Sequence, residues 1–318
     1  MKQLAISLCT RGRPDLLDRT ISITVQNMVR PNTVMYVMVD DDDDATREYL
    51  SSPTFDAHWN SGHVVPFVAM RPYGFGAKFN RVLDLCRADL YLTMVDYAPH
   101  ITPGFDQMLL DASEFFVDGI GVVYNDIIER LPAINAVTRR FAELNDNTIY
   151  APWFPFGAVD LWLDDIAQAT GRIAYCPVTI DRSLRPGSQN KRDPQFWNSF
   201  YNIMTPIRVR LVKNILAECI MYEHERALLL NNITMRMQWV FNHNAKSNLN
   251  ILFTDPLFKR PIQYDKLQEP DEMFHQRAKE AAIAAIEDYV SKGWISRVAA
   301  APALHGHNAS VYGPDYKA

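Results

Sequence analysis

Val34-Met35-Tyr36-Val37-Met38-Val39 runs directly into five aspartates, Asp40 to Asp44. A short apolar run closed by turn-forming acids reads as a buried strand that empties into a loop. Open α/β sheets take their ligands beyond the carboxyl ends of the strands, so acids at that point face a ligand. Five adjacent carboxylates repel one another unless a cation, hydroxyls or backbone N–H groups neutralise them. The same residues also suit a solvated acidic turn ahead of a helix starting near Ala45, with Asp44 as its N-cap.

Working outward, Leu4 to Cys9 is another β-type run, ended by Thr10-Arg11-Gly12-Arg13-Pro14. A helical pattern follows with Leu16, Leu17, Ile21 and Val25 on one face. Strand, turn, helix with an early proline, then strand is a βαβ unit, which predicts a parallel sheet. A third run, Val64 to Ala69, leads into Tyr73-Gly74-Phe75-Gly76-Ala77-Lys78-Phe79-Asn80 and a helix through Val82, Leu83, Leu85 and Cys86. A fourth, Leu90 to Val95, ends at Asp96-Tyr97-Ala98-Pro99, and a fifth, Ile120 to Tyr124, ends at Asn125-Asp126. Each strand delivers an Asp, Asn or Gly to one edge.

The chain has 318 residues, 48% hydrophobic and 22% charged, enough for one large domain or a domain with an appendage. A formal net charge of −5 excludes a general attraction to nucleic acid or anionic membrane, though not local patches. The apolar stretch Leu4 to Leu8 is cut short by Arg11 and Arg13, unlike a signal peptide, and no run approaches the roughly 20 apolar residues of a membrane span. Cys9, Cys86, Cys176 and Cys219 lack metal or redox spacing, as expected of reduced thiols in a cytoplasmic protein.

In this order, Thr10 to Pro14, the Asp40 to Asp44 run, Gly74, Gly76 and Asn80, and Asp96 with Thr102-Pro103-Gly104-Phe105-Asp106 behind it resemble the nucleotide-sugar half of a GT-A glycosyltransferase similar to family 2. The likeness continues through Asp160-Leu161-Trp162-Leu163-Asp164, Gly171-Arg172-Ile173-Ala174-Tyr175 and Ile180-Asp181-Arg182. It implies an α/β, mostly parallel GT-A sheet in a catalytic domain over residues 1–204; beyond it the pattern reads as a mainly helical extension with an irregular tail over 205–318. It implies transfer of a hexosyl or pentosyl group from a donor such as a UDP-sugar to a hydroxyl acceptor. By the same resemblance Thr10, Arg11, Arg13, Asp41 and Asp43 hold the donor, as do Gly76, Lys78 and Asn80. A carboxylate suits a ribose or a uracil-like N–H, and arginine suits a diphosphate. Lys78 and Asn80 are expected to open the helix after the Gly-rich turn, where N–H groups favour anions. Gly74 and Gly76 equally suit an ordinary flexible turn.

Two departures bear on the metal. Members of the family carry paired acids at the end of the fourth strand and often a later histidine; here stand Asp96-Tyr97-Ala98 and Asp181-Arg182-Ser183-Leu184-Arg185-Pro186. Arg182 or Arg185 could therefore stabilise the leaving diphosphate in a metal's place. The alternatives are weak use of Mg2+ or Mn2+ on Asp96 with an acid of the Asp40 to Asp44 run, or a site that only binds. For the general base the resemblance places Asp160, with Asp164 and Asp165 behind it. Asp160 equally suits the N-cap of a helix from Leu161 to Ala169. Trp153 and Trp162 suit either a sugar platform or the core.

From Arg182 to Lys213, seven basic residues, Arg182, Arg185, Lys191, Arg192, Arg208, Arg210 and Lys213, face a single acid, Asp193. The segment suits an anionic acceptor, and a nucleic-acid-modifying transferase acting on a base hydroxyl stays open as an alternative. So does a catalytically silent nucleotide-sugar-binding or scaffold protein. For Arg208, Arg210 and Lys213 a solvated basic helix face is the expected account. Ile207 to about Val240 has a helical pattern with a stripe of Leu211, Ile215, Cys219, Tyr222 and Leu229, suited to packing on the catalytic unit or a second subunit. A loop over Asn242–Asn250, a connection with Pro256, Pro261 and Pro270, a helix over Asp271–Lys292 and a tail with His305 and His307 complete the chain.

Overall fold

A computed structural model describes residues 2–125, 134–155, 159–183, 203–231 and 272–295, with 197, 200, 201 and 233. Its elements run β1 (Leu4–Cys9), α1 (Pro14–Gln26), β2 (Val34–Asp40), α2 (Asp44–Leu50), α3 (Pro53–Asn60), β3 (Val64–Ala69), α4 (Phe75–Asn80), α5 (Val82–Leu85) and β4 (Leu90–Val95). They continue as α6 (Phe105–Ser113), β5 (Val122–Tyr124), β6 (Asn135–Thr138), α7 (Arg139–Leu144), α8 (Val159–Thr170), β7 (Ile173–Tyr175), α9 (Thr205–Glu218) and α10 (Glu272–Ser291).

The strands form one sheet in the order β3-β2-β1-β4-β6-β5-β7. β1 pairs in parallel with β2 and β4, and β2 with β3. The short β6 runs antiparallel to both β4 and β5, which restores β5 and β7 to the common direction. The expected α/β, mostly parallel sheet is therefore present. All six residues of β1 are buried, as a strand covered on both faces requires. β3 lies at the edge, where Pro66 costs no ladder bond to a further strand.

The chain moves outward from β1 to β3 and returns as β4 on the other side of β1. The order reverses between β1 and β4, which opens a crevice at their carboxyl ends. Thr10 follows β1, Asp40 closes β2, and Asp96 follows β4, all on that edge. The core beneath includes Leu4, Ile6, Leu8, Met35, Val37, Leu90, Leu92 and Met94, with Leu17 and Ile21 of α1 and Phe105 of α6.

Two compact units emerge. The first comprises 1–186 and 214–220, and the second 187–213 and 221–318. α9 belongs to the second unit up to Lys213 and to the first from Asn214.

Several expectations are corrected. Asp43 rather than Asp44 caps α2, accepting from the Thr46 amide at 3.3 Å. α4 begins at Phe75, so Lys78 and Asn80 lie in its last turn and do not open it. Asp160 lies inside the first turn of α8 and is not its N-cap. In the expected helical stripe Leu211, Ile215 and Cys219 are buried, but α9 stops at Glu218 and Tyr222 is exposed. The loop at 242–250, Pro256, Pro261, Pro270, His305 and His307 lie outside the described residues.

Candidate functional site

At the crossing of β1 and β4, Thr10 Oγ1 donates to Asp96 Oδ2 at 2.8 Å, and Arg13 lies 3.0 Å from Asp96 Oδ1. The Arg13 guanidinium also sits over the Tyr97 ring, 5.4 Å from its centroid. Asp96 is fully buried. Burial raises its carboxyl above the ordinary value of 3.8, against the opposing pull of Arg13 and Thr10. The second acid that would share a metal here is replaced by buried Ala98.

On the β2 side, Lys78 is buried and bridges two strands. Its Nζ donates to the Thr10 carbonyl at 2.6 Å and pairs with Asp40 at 2.9 Å. Arg11 lies 3.3 Å from Asp40 and forks onto Asp42 at 2.5 and 3.0 Å. That hydrogen-bonded guanidinium holds the Asp42 carboxyl below the ordinary range. Asp43 turns inward, accepting from the Gly12 amide at 2.8 Å and the Thr46 hydroxyl at 2.6 Å. Asp41 is exposed and accepts from the Arg71 amide at 3.3 Å. Acids and bases thus alternate along the rim from Asp96 to Asp42.

Arg182 follows a segment tied to the chain after β4. The segment after β4 meets residues 179–181 in a short antiparallel zip: Ile101 N donates to Thr179 O and Asp181 N to Pro99 O, both at 3.0 Å, and His100 bridges Ile180. Arg182 then acts electrostatically on His100. His100, missed in the sequence, is fully buried against the Phe105 ring, with Nε2 3.0 Å from Asn125 Nδ2. Burial, and secondly the Arg182 charge, pull its imidazole down to about 3. The histidine had no spacing partner to single it out, since Asn125 arrives from another strand. Arg185, Lys191, Arg192 and Asp193 lie outside the described residues.

The Gly-rich turn serves a packing purpose. A Cβ on Gly74 would stand 1.5 Å from the Pro152 carbonyl oxygen, and one on Gly76 2.1 Å from that of Ala151. Phe75 N, at the start of α4, donates to Phe154 O at 2.6 Å. Asn80 is likewise turned onto residues 149 and 150. Asp160 lies near Tyr150, whose phenol burial and, secondly, the Asp160 charge push up. Trp162 is core, with the Trp153 ring 5.6 Å away.

Among the described residues no group of three or more His, Cys, Asp or Glu could hold a metal ion. Asp96, the one acid at the expected place, faces Arg13 and Thr10. The cysteines are free thiols, and no described helix is long and apolar enough to cross a membrane.

Arg208 and Arg210 depart from the solvated basic face. Arg208 is fully buried, donates to Tyr201 O at 2.7 Å and Thr205 Oγ1 at 2.9 Å, and covers the Tyr201 ring at 3.8 Å. Arg210 lies over Trp294 at 4.3 Å.

No protein-family model matches the chain, and no curated protein does. Among solved structures, S. aureus TarS residues 1–349 in complex with UDP-GlcNAc superposes with a TM-score of 0.50 at 15% identity, covering 95% of this chain and 87% of that one. The mannosyltransferase PcManGT from Pyrobaculum calidifontis, in complex with GDP-Man and Mn2+, gives 0.45 at 13% identity over 95% and 86%. The fold is GT-A.

Proposed function

We propose that the chain transfers a sugar from a nucleoside-diphosphate sugar to a hydroxyl acceptor. The observation that carries this reading is the Thr10–Asp96–Arg13 constellation at the strand-order reversal of a GT-A sheet, where a ligand is expected. The nucleoside side falls to Thr10 and exposed Asp41, and the diphosphate to Arg11 and Arg13, with Arg182 carried over from the resemblance. The solved neighbours' nucleotide sugars, UDP-GlcNAc and GDP-Man, are consistent with such a donor.

In the reaction the acceptor oxygen attacks the anomeric carbon, the bond from that carbon to the diphosphate oxygen breaks, and Asp160 takes the acceptor's proton. The leaving diphosphate gains negative charge, and fixed guanidinium groups stabilise it as it develops. In this reading arginines supply that stabilisation, since Tyr97 and Ala98 stand after Asp96 where a metal site would add a second acid. The nucleic-acid alternative loses two of its motivating cations, since Arg208 and Arg210 are engaged inside the second unit.

The test is a thermal-shift screen against UDP- and GDP-sugars, followed by donor hydrolysis with and without EDTA. Binding with EDTA-insensitive turnover is the expected result. Binding without turnover would support the silent scaffold instead, and loss of turnover in EDTA would restore the metal. Asp160→Asn should lower turnover at least about a hundredfold, within the usual worth of a general base.

A further inference from the structure

Within the Tyr73–Asn80 motif, which the resemblance places on the donor, Lys78 reaches the rim, whereas Gly74, Gly76 and Asn80 face another part of the first unit. Residues 149–155 form a strap laid across α4. Asn80 clamps it with its whole carboxamide: Oδ1 accepts from Ile149 N at 2.9 Å and Tyr150 N at 3.0 Å, and Nδ2 donates to Tyr150 O at 2.8 Å. Gly74 and Gly76 let the strap's backbone approach closer than any side chain allows. Phe79 packs edge-on to Tyr150 with ring centroids 5.4 Å apart.

From the clamp the contacts continue to α8. Tyr150 is buried, and its hydroxyl lies 2.9 Å from Thr93 Oγ1 on β4. Trp153 and Phe154 of the strap pack on Trp162 of α8 with centroids 5.6 and 6.0 Å apart. Two residues before Trp162 stands Asp160, close enough for its charge to act on the Tyr150 phenol. Tyr124 fixes the same helix from β5, donating to Asp164 at 2.6 Å.

We propose that Asn80 is a positioning residue for the acceptor side of the reaction: by clamping the 149–155 strap it sets the place of α8 and of Asp160, and it does not touch the donor. This rests on the transferase reading above. Geometry matters here because displacing a reacting group by about 1 Å can cost on the order of a hundredfold in rate.

The test uses the full chain with Asn80→Asp, which keeps both acceptor bonds but sets a carboxylate oxygen against the Tyr150 carbonyl, and with Tyr150→Phe, which keeps the ring but removes the hydroxyl. UDP and GDP affinity is measured by calorimetry, hydrolysis at saturating nucleotide sugar by product release, and amide exchange at 149–150 by mass spectrometry. The expected result is a nucleotide Kd within about threefold of wild type, hydrolysis lowered at least about tenfold in both variants, and faster exchange of the strap in Asn80→Asp. A tenfold weaker Kd with unchanged hydrolysis per bound donor would make Asn80 a donor ligand and overturn the proposal; so would unchanged hydrolysis and exchange. Should Asn80→Asp not fold, the same split in Tyr150→Phe decides. Failure of the transferase reading shows in the wild type, which would then bind neither nucleotide or bind without turnover, whereas failure of the clamp shows only in the variants.

Discussion

His100 should make the protein acid-labile in a way that one substitution removes. The imidazole is fully buried against Phe105, accepts from Asn125, and lies within the field of Arg182. Its folded value of about 3 lies below the ordinary 6.5. The unfolded chain therefore takes up the proton first. Between pH 6.5 and about 3 the unfolded state carries more protons, so stability rises with pH across that window. The contribution is complete above pH 6.5 and is lost on acidification. At 1.36 kcal/mol per pH unit the gap corresponds to about 5 kcal/mol at most, a large share of a domain's total of about 5–15 kcal/mol. Relaxation around a protonated ring makes this a ceiling. Urea unfolding at intervals from pH 7.5 to 4.5 should show wild type losing about 1 kcal/mol per pH unit below 6.5 relative to His100→Gln, which keeps an amide for Asn125 but cannot titrate. Parallel pH profiles for the two proteins would refute the reasoning. Equally damaging would be a wild type that gains stability relative to the variant as pH falls.

Three further outcomes follow from the same contacts. Asp96→Asn should change stability at pH 7 by no more than about 1 kcal/mol in the destabilising direction, because burial already costs its charge more than Arg13 and Thr10 return; urea unfolding checks it. Since the folded carboxyl is raised above 3.8, this group opposes His100: stability falls as pH rises through its window, and the asparagine variant lacks that fall. Arg208→Ala should destabilise the second unit by about 3 kcal/mol in thermal unfolding, through lost packing on Tyr201 and an orphaned carbonyl, with UDP affinity unchanged. Gly74→Ala should cost about 1–3 kcal/mol, because its Cβ would fall 1.5 Å from the Pro152 oxygen; a melting temperature equal to wild type would remove the close approach from the account.

The sheet was legible because strand and helix periods are local. Leu4–Cys9, Val34–Asp40, Val64–Ala69 and Leu90–Val95 each show their apolar run and their terminator within ten residues. β6 was not legible, since Asn135–Thr138 is four residues long, half of them polar, and becomes a strand only by lying between β4 and β5. At the site, residue types were readable where the strand ends, as at Thr10 and Asp96, but partners were not. Nothing in the spacing of Asn80 says that its amide turns to residues 149 and 150, nearly seventy positions away. Arg208 misled for the same reason: a helix face is basic by sequence, but whether an aromatic ring covers it depends on the rest of the fold.

Burial sorts the rim's cations into fixed and exchangeable ones. Lys78 is 5% exposed, and its bonds to Asp40 and to the Thr10 carbonyl join β1, β2 and α4. Withdrawing it would leave Asp40 buried with only the more distant Arg11, a cost of several kcal/mol. The Arg11–Asp42 pair is different: the side chains are 36% and 48% exposed, and such a pair is worth only about 0–1 kcal/mol. Arg13 is 34% exposed, although its partner Asp96 is buried. On the proposed function, an arriving diphosphate, more highly charged than either carboxylate, would therefore recruit Arg11 at little cost. It recruits Arg13 only if Asp96 keeps its hydrogen bond from Thr10, or takes up a proton, which its raised value eases. Donor binding, as proposed, is then an exchange of partners around a fixed lysine, and Arg11→Lys, which loses the two-pronged fork but keeps the charge, should weaken UDP while leaving the fold intact.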